Sequence, residues 1–201
     1  MARLSATVCI VLLTVASCAK QTDEQQLRGA IRKTLTTASF RVDATTSELG
    51  QSMGTTTLEH IGSTARVLTG MVVRGLFVGK YVYAADNTDP DLFIRCDRRG
   101  PNGSVHRFDT YSQPLRQAAA AKHIKRHGDV FVIDPLTSDS TSATRGELAV
   151  AGGRVKTLTL VRRGTGANLS PPVTISFRFS YGAVPAITAP PGDSLEQGQT
   201  C

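Results

Sequence analysis

Residues 146–164, GELAVAGGRVKTLTLVRRG, constrain the fold more than any other stretch of the chain. Two runs rich in Val, Leu and Thr flank Gly152-Gly153. Paired glycines supply the positive φ angles that a two-residue hairpin turn demands, so the segment predicts an antiparallel hairpin in which Val150 faces Val155. Which face carries Leu158 and Leu160 depends on a one-residue phase that alternation does not settle. A chain with so long a hairpin builds its core on an antiparallel sheet.

The rest of the pattern agrees. Thr22 followed by Gln25 forms a capping box, and Asp23 and Glu24 suit the first turn of a helix. Leu27, Ile31 and Leu35 then recur on one face, widened by Ala30 and Ala38. Short β-like runs follow at 39–44, 54–61, 64–74, 76–84 and 92–96, with turn-rich breaks at 86–91 and 99–103. Residues 111–126, with four alanines at 118–121, predict a second helix ended by Gly128, and Leu115, Ala119 and Ile124 share a face of it. After the hairpin, 173–181 alternates Ile175, Phe177 and Phe179 as a last strand. One helix, four or five strands, a second helix and three or four strands make an α+β domain, with the two helices covering one face of a curved sheet.

The N-terminus bears on location. Arg3 precedes an apolar stretch over residues 6–16 that is too short to span a bilayer and has the length of a signal-peptide core. It ends in LTVASCAK, residues 13–20, where Val15-Ala16-Ser17-Cys18 resembles the lipobox of bacterial lipoproteins. That resemblance implies cleavage between Ser17 and Cys18 and a thioether-linked diacylglyceryl group on Cys18. Residues 1–17 are then a signal peptide and 18–21 a short tether. A folded domain spans 22–191 and a polar tail 192–201. From Cys18 to Thr22 the chain extends at most about 14 Å, which keeps the domain close to its membrane. The expected location is the extracytoplasmic face of the bacterial cell membrane. No later apolar run is long enough to cross it.

The chain carries a formal net charge of +7. Most of the excess falls in 95–128, where Arg95, Arg98, Arg99, Arg107, Arg116, Lys122, Lys125 and Arg126 face only Asp97 and Asp109. An anionic headgroup suits such a cluster, as does a solvated basic face with no ligand. Nucleic acid does not suit it, because aromatic residues for base stacking are not interleaved with these charges. Cys9 leaves with the signal peptide and Cys18 takes lipid. Cys96 and Cys201 are left as a candidate disulfide or as two free thiols.

Catalytic and metal motifs are absent, so neither an enzyme nor a cofactor is expected. His123 and His127 have zincin spacing, but Ile124 stands where the Glu belongs and Lys122, Lys125 and Arg126 repel a cation. Asp86, Asp89 and Asp91 lack the Gly and closing Glu of a calcium loop and are expected to form a turn. No Lys-Ser/Thr follows Gly164-Thr165-Gly166, and no Gly-x-Ser-x-Gly elbow occurs.

ISFRFSYGAVPAITAPP, residues 175–191, is similar to the closing segment of LprG/LppX-type lipoproteins of the LolA-like superfamily. The matching residues are Phe179-Ser180, Tyr181-Gly182, Pro185, Ile187-Thr188 and Ala189-Pro190-Pro191. The lipobox, the opening helix, Tyr81-Val82-Tyr83 and Asp134-Pro135 stand in compatible order. The resemblance implies a curved antiparallel β half-barrel with helices packed on its concave face, enclosing an apolar cavity for acyl chains. Leu27, Ile31, Leu35, Leu115, Ala119 and Ile124 are candidate cavity lining; packed core is the other reading of the same faces. The expected function is binding or carriage of an acylated lipid by an anchored lipoprotein, with an envelope lipid transporter as a possible partner. The alternative is a surface or scaffold lipoprotein that binds another protein and has no ligand cavity.

Overall fold

A computed structural model describes residues 21–97, 109–165 and 171–195. In chain order the elements are α1 (Asp23–Leu35), β1 (Ser39–Glu48), β2 (Gln51–Ile61), β3 (Thr64–Thr69), β4 (Val72–Val78), β5 (Tyr81–Ala85) and β6 (Phe93–Asp97). Then come α2 (Ser112–Ala120), β7 (Lys125–His127), β8 (Val130–Ser138), β9 (Ser142–Ala151), β10 (Arg154–Gly164) and β11 (Val173–Tyr181). The strands form one open antiparallel sheet in the order β6-β5-β4-β3-β2-β1-β11-β10-β9-β8-β7. Every pair of neighbours is consecutive in the chain except one, β1 with β11, and β6 and β7 stand at the edges.

The start of α1 follows the capping box. Thr22 Oγ1 accepts the Gln25 N–H at 3.2 Å, and Gln25 Oε1 accepts the Thr22 N–H at 3.0 Å. Asp23 and Glu24 occupy the positive end of the helix dipole, Arg32 and Lys33 the negative end. Its buried stripe is Leu27, Ala30, Ile31 and Thr34. α1 packs on β10 and α2, and α2 packs on β8. Arg28 ties the helices together by donating from Nε to the Ala119 carbonyl at 2.9 Å.

Register places one continuous apolar layer beneath both helices. Val42 lies opposite Leu58 and Phe179, Leu158 opposite Phe177 and Leu148, and Leu148 opposite Phe131. Directly opposed residues share a face of the sheet. These side chains form one buried cluster with Leu27, Ile31 and Leu115. The hairpin pairs Val150 with Val155, as its glycines predict, with φ at 60° and 69° for Gly152 and Gly153. A bulge between Val155 and Thr157 then sets the phase: Leu158 is fully buried beneath the helices, and Leu160 follows on the same face, half-buried.

That bulge takes Val155 out of the regular ladder, and two side chains complete its bonding. Thr34 Oγ1 accepts the buried Val155 N–H at 2.9 Å and donates to the Ala30 carbonyl at 2.9 Å. The Tyr181 hydroxyl donates to the Val155 carbonyl and lies 3.1 Å from Thr34 Oγ1. One buried threonine thus locks α1 to the hairpin and to β11.

Two sequence expectations are corrected. Residues 64–74 and 76–84 each belong to two strands, because Gly70 and Gly79 turn the chain with φ 61° and 59°. The second helix stops at Ala120. Ala121 is extended, and Lys125–His127 pairs with β8 as an edge strand. Sheet pairing overrides the local helix preference there, and Arg126 fixes the strand to α1 through Gln26 Oε1 at 2.6 Å and Asp23 Oδ1 at 3.2 Å. The segment after β11 crosses the other face of the sheet, where Ile187 joins Leu76, Tyr83 and Phe93 in a second buried cluster. Gly192–Ser194 forms a 3-10 turn, and Leu195 bridges Phe93 in parallel.

Candidate functional site

The helices leave part of the apolar layer uncovered. α1 and α2 rest on β10 and β8, in one half of the sheet. Over β11, β1, β2, β3 and β4 lies a cavity of about 370 Å³ lined by Val42, Ala44, Thr46, Thr56, Leu58, Val67, Phe77, Ile175 and Phe177, with Thr110 and Tyr111 as a wall. The lining follows from register. Phe177, Ala44 and Thr56 form one cross-strand row, and Phe179, Val42, Leu58 and Val67 form the next. Val42, Leu58, Phe77 and Phe177 are buried. Ala44, Val67 and Ile175 are half-buried and continue the core toward solvent. Room exists because the first row carries alanine and threonine where its neighbour carries valine and leucine.

Tyr111 closes the helix end of the cavity. Its ring meets Phe40 and Phe179 edge-on at 5.6 Å each, geometry that favours aromatic pairs. Burial pushes its phenol well above the ordinary range, and the charge of Asp109 adds to the shift. Tyr111 therefore stays neutral at physiological pH, a hydroxyl in an otherwise apolar wall. Gly146 contributes at the far side of the same face: a Cβ there would meet Leu136 Cδ2 at 3.2 Å, so its absence lets Leu136 lie over the sheet.

The helix residues named as candidate lining lie elsewhere. Leu27, Ile31 and Leu115 are fully buried in packed core. Leu35 and Ala119 pack against that core as half-buried residues. Ile124 borders a different cavity of about 540 Å³ whose other walls include Glu24, Lys122, His123, Lys125, Asp134 and Arg145. The faces of both helices are thus core, and the open apolar space belongs to the strands. Alternation in 39–46 and 173–179 marks those strands as half-buried, but which half the helices cover is a tertiary fact.

The basic segment is divided. Arg95 stands on edge strand β6 with its guanidinium 5.0 Å over the Tyr81 ring, whereas Lys125 and Arg126 stand on β7, the opposite edge. Arg98, Arg99 and Arg107 lie outside the described residues, as do Ser17, Cys18 and Cys201. Cys96 is buried opposite Val82 and is disulfide-bonded; the chain's other three cysteines fall outside the described residues.

His123 and His127 do not share a helix, since His127 ends β7. No three His, Cys, Asp or Glu side chains come together as a metal site among the described residues. Asp86 accepts from the Thr88 hydroxyl and from the backbone N–H of Thr88 at 2.6 Å and of Asp89 at 3.1 Å, which holds its carboxyl below the usual range and makes this acidic stretch a turn. Asp139 does the same between β8 and β9, accepting the N–H groups of Thr141 and Ser142 at 2.8 Å each, with its carboxyl held down to about 2.

No family model matches the chain, and no curated protein matches it. Among solved structures it is similar to the LolA superfamily protein NE2245 from Nitrosomonas europaea. Identity is 11% and the TM-score 0.32, over 80% of this chain and 92% of that one.

Proposed function

We propose that this chain is a membrane-anchored envelope lipoprotein, lipidated on Cys18, whose domain binds or carries a lipid. The observation that carries the reading is the apolar cavity over β11, β1, β2, β3 and β4. Its volume of about 370 Å³ stands near the lower end of ligand pockets, which run from about 300 to 1,000 Å³. It suits one acyl chain better than a lipid with several. Burial of apolar surface, at about 25 cal/mol per Å², would hold the chain. The Tyr111 and Thr110 hydroxyls would meet a carboxyl or ester at its end. In this reading the sheet is a half-barrel that wraps the cavity, and an envelope transporter would receive or supply the cargo.

The packed core beneath both helices supports the other reading, a surface lipoprotein that binds protein and holds no ligand. Ala44→Phe separates the two. The new ring would occupy the void rather than overpack the core, because Ala44 is half-buried against it. In a titration of the full chain with a fluorescent fatty acid, the variant should bind about tenfold more weakly or worse, a loss of about 1.4 kcal/mol or more. Its melting temperature should stay close to that of the parent. Equal binding by parent and variant would remove this cavity as the site.

A further inference from the structure

We infer that the tips of the β1–β2 and β3–β4 hairpins dip into the surface of a lipid bilayer. Among the described residues the exposed large hydrophobics are Leu49, Met53, Met71 and Val72, at 74%, 67%, 95% and 37% exposure. All four stand on these two tips. β2 and β3 are hydrogen-bonded neighbours whose register brings Thr56 opposite Thr69, so both tips project from one end of the sheet, and the β1–β2 hairpin, still paired at Glu48–Gln51, reaches further than the β3–β4 tip. It is the cavity's end: Thr46 and Thr56, which line the cavity, lie three residues from Leu49 and Met53.

The backbone adds an independent observation. Leu49 has φ 50° and Gly50 φ 80°, the left-handed pair of a two-residue hairpin turn. Asn or Gly takes the first of those positions with least strain. A leucine there is disfavoured both by its backbone and by water, and burial in lipid relieves the second.

A bilayer fits these tips better than a protein does. They are two narrow turns carrying four apolar side chains, flanked by Ser47, Gln51 and Ser52, and offer no flat area or groove of the size a stable protein interface buries. Methionine adapts to a fluid partner. Arg74, Arg162 and Arg163 are exposed toward the same end, placed for phosphate headgroups, with Glu48 and Asp139 as opposing charges. Cys18, the proposed lipid anchor, lies three residues before the first described residue, Gln21, so an N-terminus held there leaves the domain within reach of the membrane surface. The inference rests on the membrane setting proposed above and not on the cavity's cargo. It brings the cavity mouth to the lipid, so that an acyl chain could pass between them without crossing water.

The chain contains no tryptophan, which makes a single introduced one a clean reporter. Met71→Trp and Lys80→Trp would be made in the full chain and mixed with phosphatidylcholine–phosphatidylglycerol vesicles with and without brominated acyl chains. Lys80 is an exposed residue in the turn between β4 and β5, at the opposite end of the sheet. Met71→Trp should emit at shorter wavelength on vesicles and be quenched by bromine several-fold more than Lys80→Trp. Met53→Trp should be quenched likewise and lose that quenching when Leu49→Asn and Met71→Asn are added, with no fall in melting temperature. Equal quenching at both ends, none at the tips, or quenching that survives the asparagines would overturn the inference. A tip signal that shifts only with protein concentration in buffer would also overturn it, and would assign the tips to a second copy of the chain. Fatty-acid binding that fails while tip quenching persists would remove the cavity reading alone.

Discussion

Thr34→Val should lower the melting temperature of the chain by about 5–10 °C, on the scale of about 2–4 °C per kcal/mol for a protein of this size. The valine is nearly isosteric, so packing in the fully buried site barely changes. What disappears is the acceptor for the Val155 N–H, which the β10 bulge withholds from the ladder and which has no route to water. A buried donor left without a partner costs about 1–3 kcal/mol, and the neighbouring Tyr181 hydroxyl loses a polar contact as well. Thr34→Ser keeps the oxygen and gives up one methyl, so it should recover most of the loss. A thermal melt followed by circular dichroism compares the three. If Thr34→Val and Thr34→Ser melted together, the hydroxyl would not be the element that holds α1 on the hairpin.

Cys18→Ala should move the chain from the membrane fraction to the soluble fraction, with about a tenfold or greater loss of membrane-bound protein. A diacylglyceryl group contributes about 0.8 kcal/mol for each buried CH₂, and two chains hold a protein where one only tethers it reversibly. Four side chains on two hairpin tips cannot match that area. Fractionation with intact-mass analysis checks it: the parent should begin at residue 18 and carry lipid, and the variant should carry none. Retention of an unlipidated variant on membranes would place the anchor elsewhere.

The local parts of this fold were legible in the residues, and the parts that depend on distant pairing were not. A capping box works within four residues, so Thr22 and Gln25 announce α1. Gly152-Gly153 likewise announces the hairpin and its Val150–Val155 pair. Of the alanines at 118–121 the first three are helical and Ala121 is extended, and the run hides β7, because that strand exists only through its pairing with β8. The tail reads as polar from 192 onward, yet Ile187 and Leu195 pack on strands about a hundred residues earlier in the chain. The site suffered in the same way. Leu27, Ile31 and Leu115 have the periodicity of a buried face, and such a face is core or cavity according to what lies above it. Ala44, Thr46 and Thr56 look unremarkable in sequence; only the rows joining β11, β1 and β2 reveal that small side chains meet there and leave space. The exposed tips were equally hidden, since Leu49 and Met71 sit in turns whose neighbours are known only from register.

If the space over β11, β1, β2, β3 and β4 holds lipid, the lipid should travel with the protein through purification. Native mass spectrometry of the full chain, purified in mild detergent without added lipid, tests it most directly. The expected spectrum holds a population heavier than the protein and its anchor by the mass of one acylated molecule, displaced by excess fatty acid and missing from Ala44→Phe. A single species at the mass of protein plus anchor, identical in parent and variant and unchanged by added fatty acid, would contradict it.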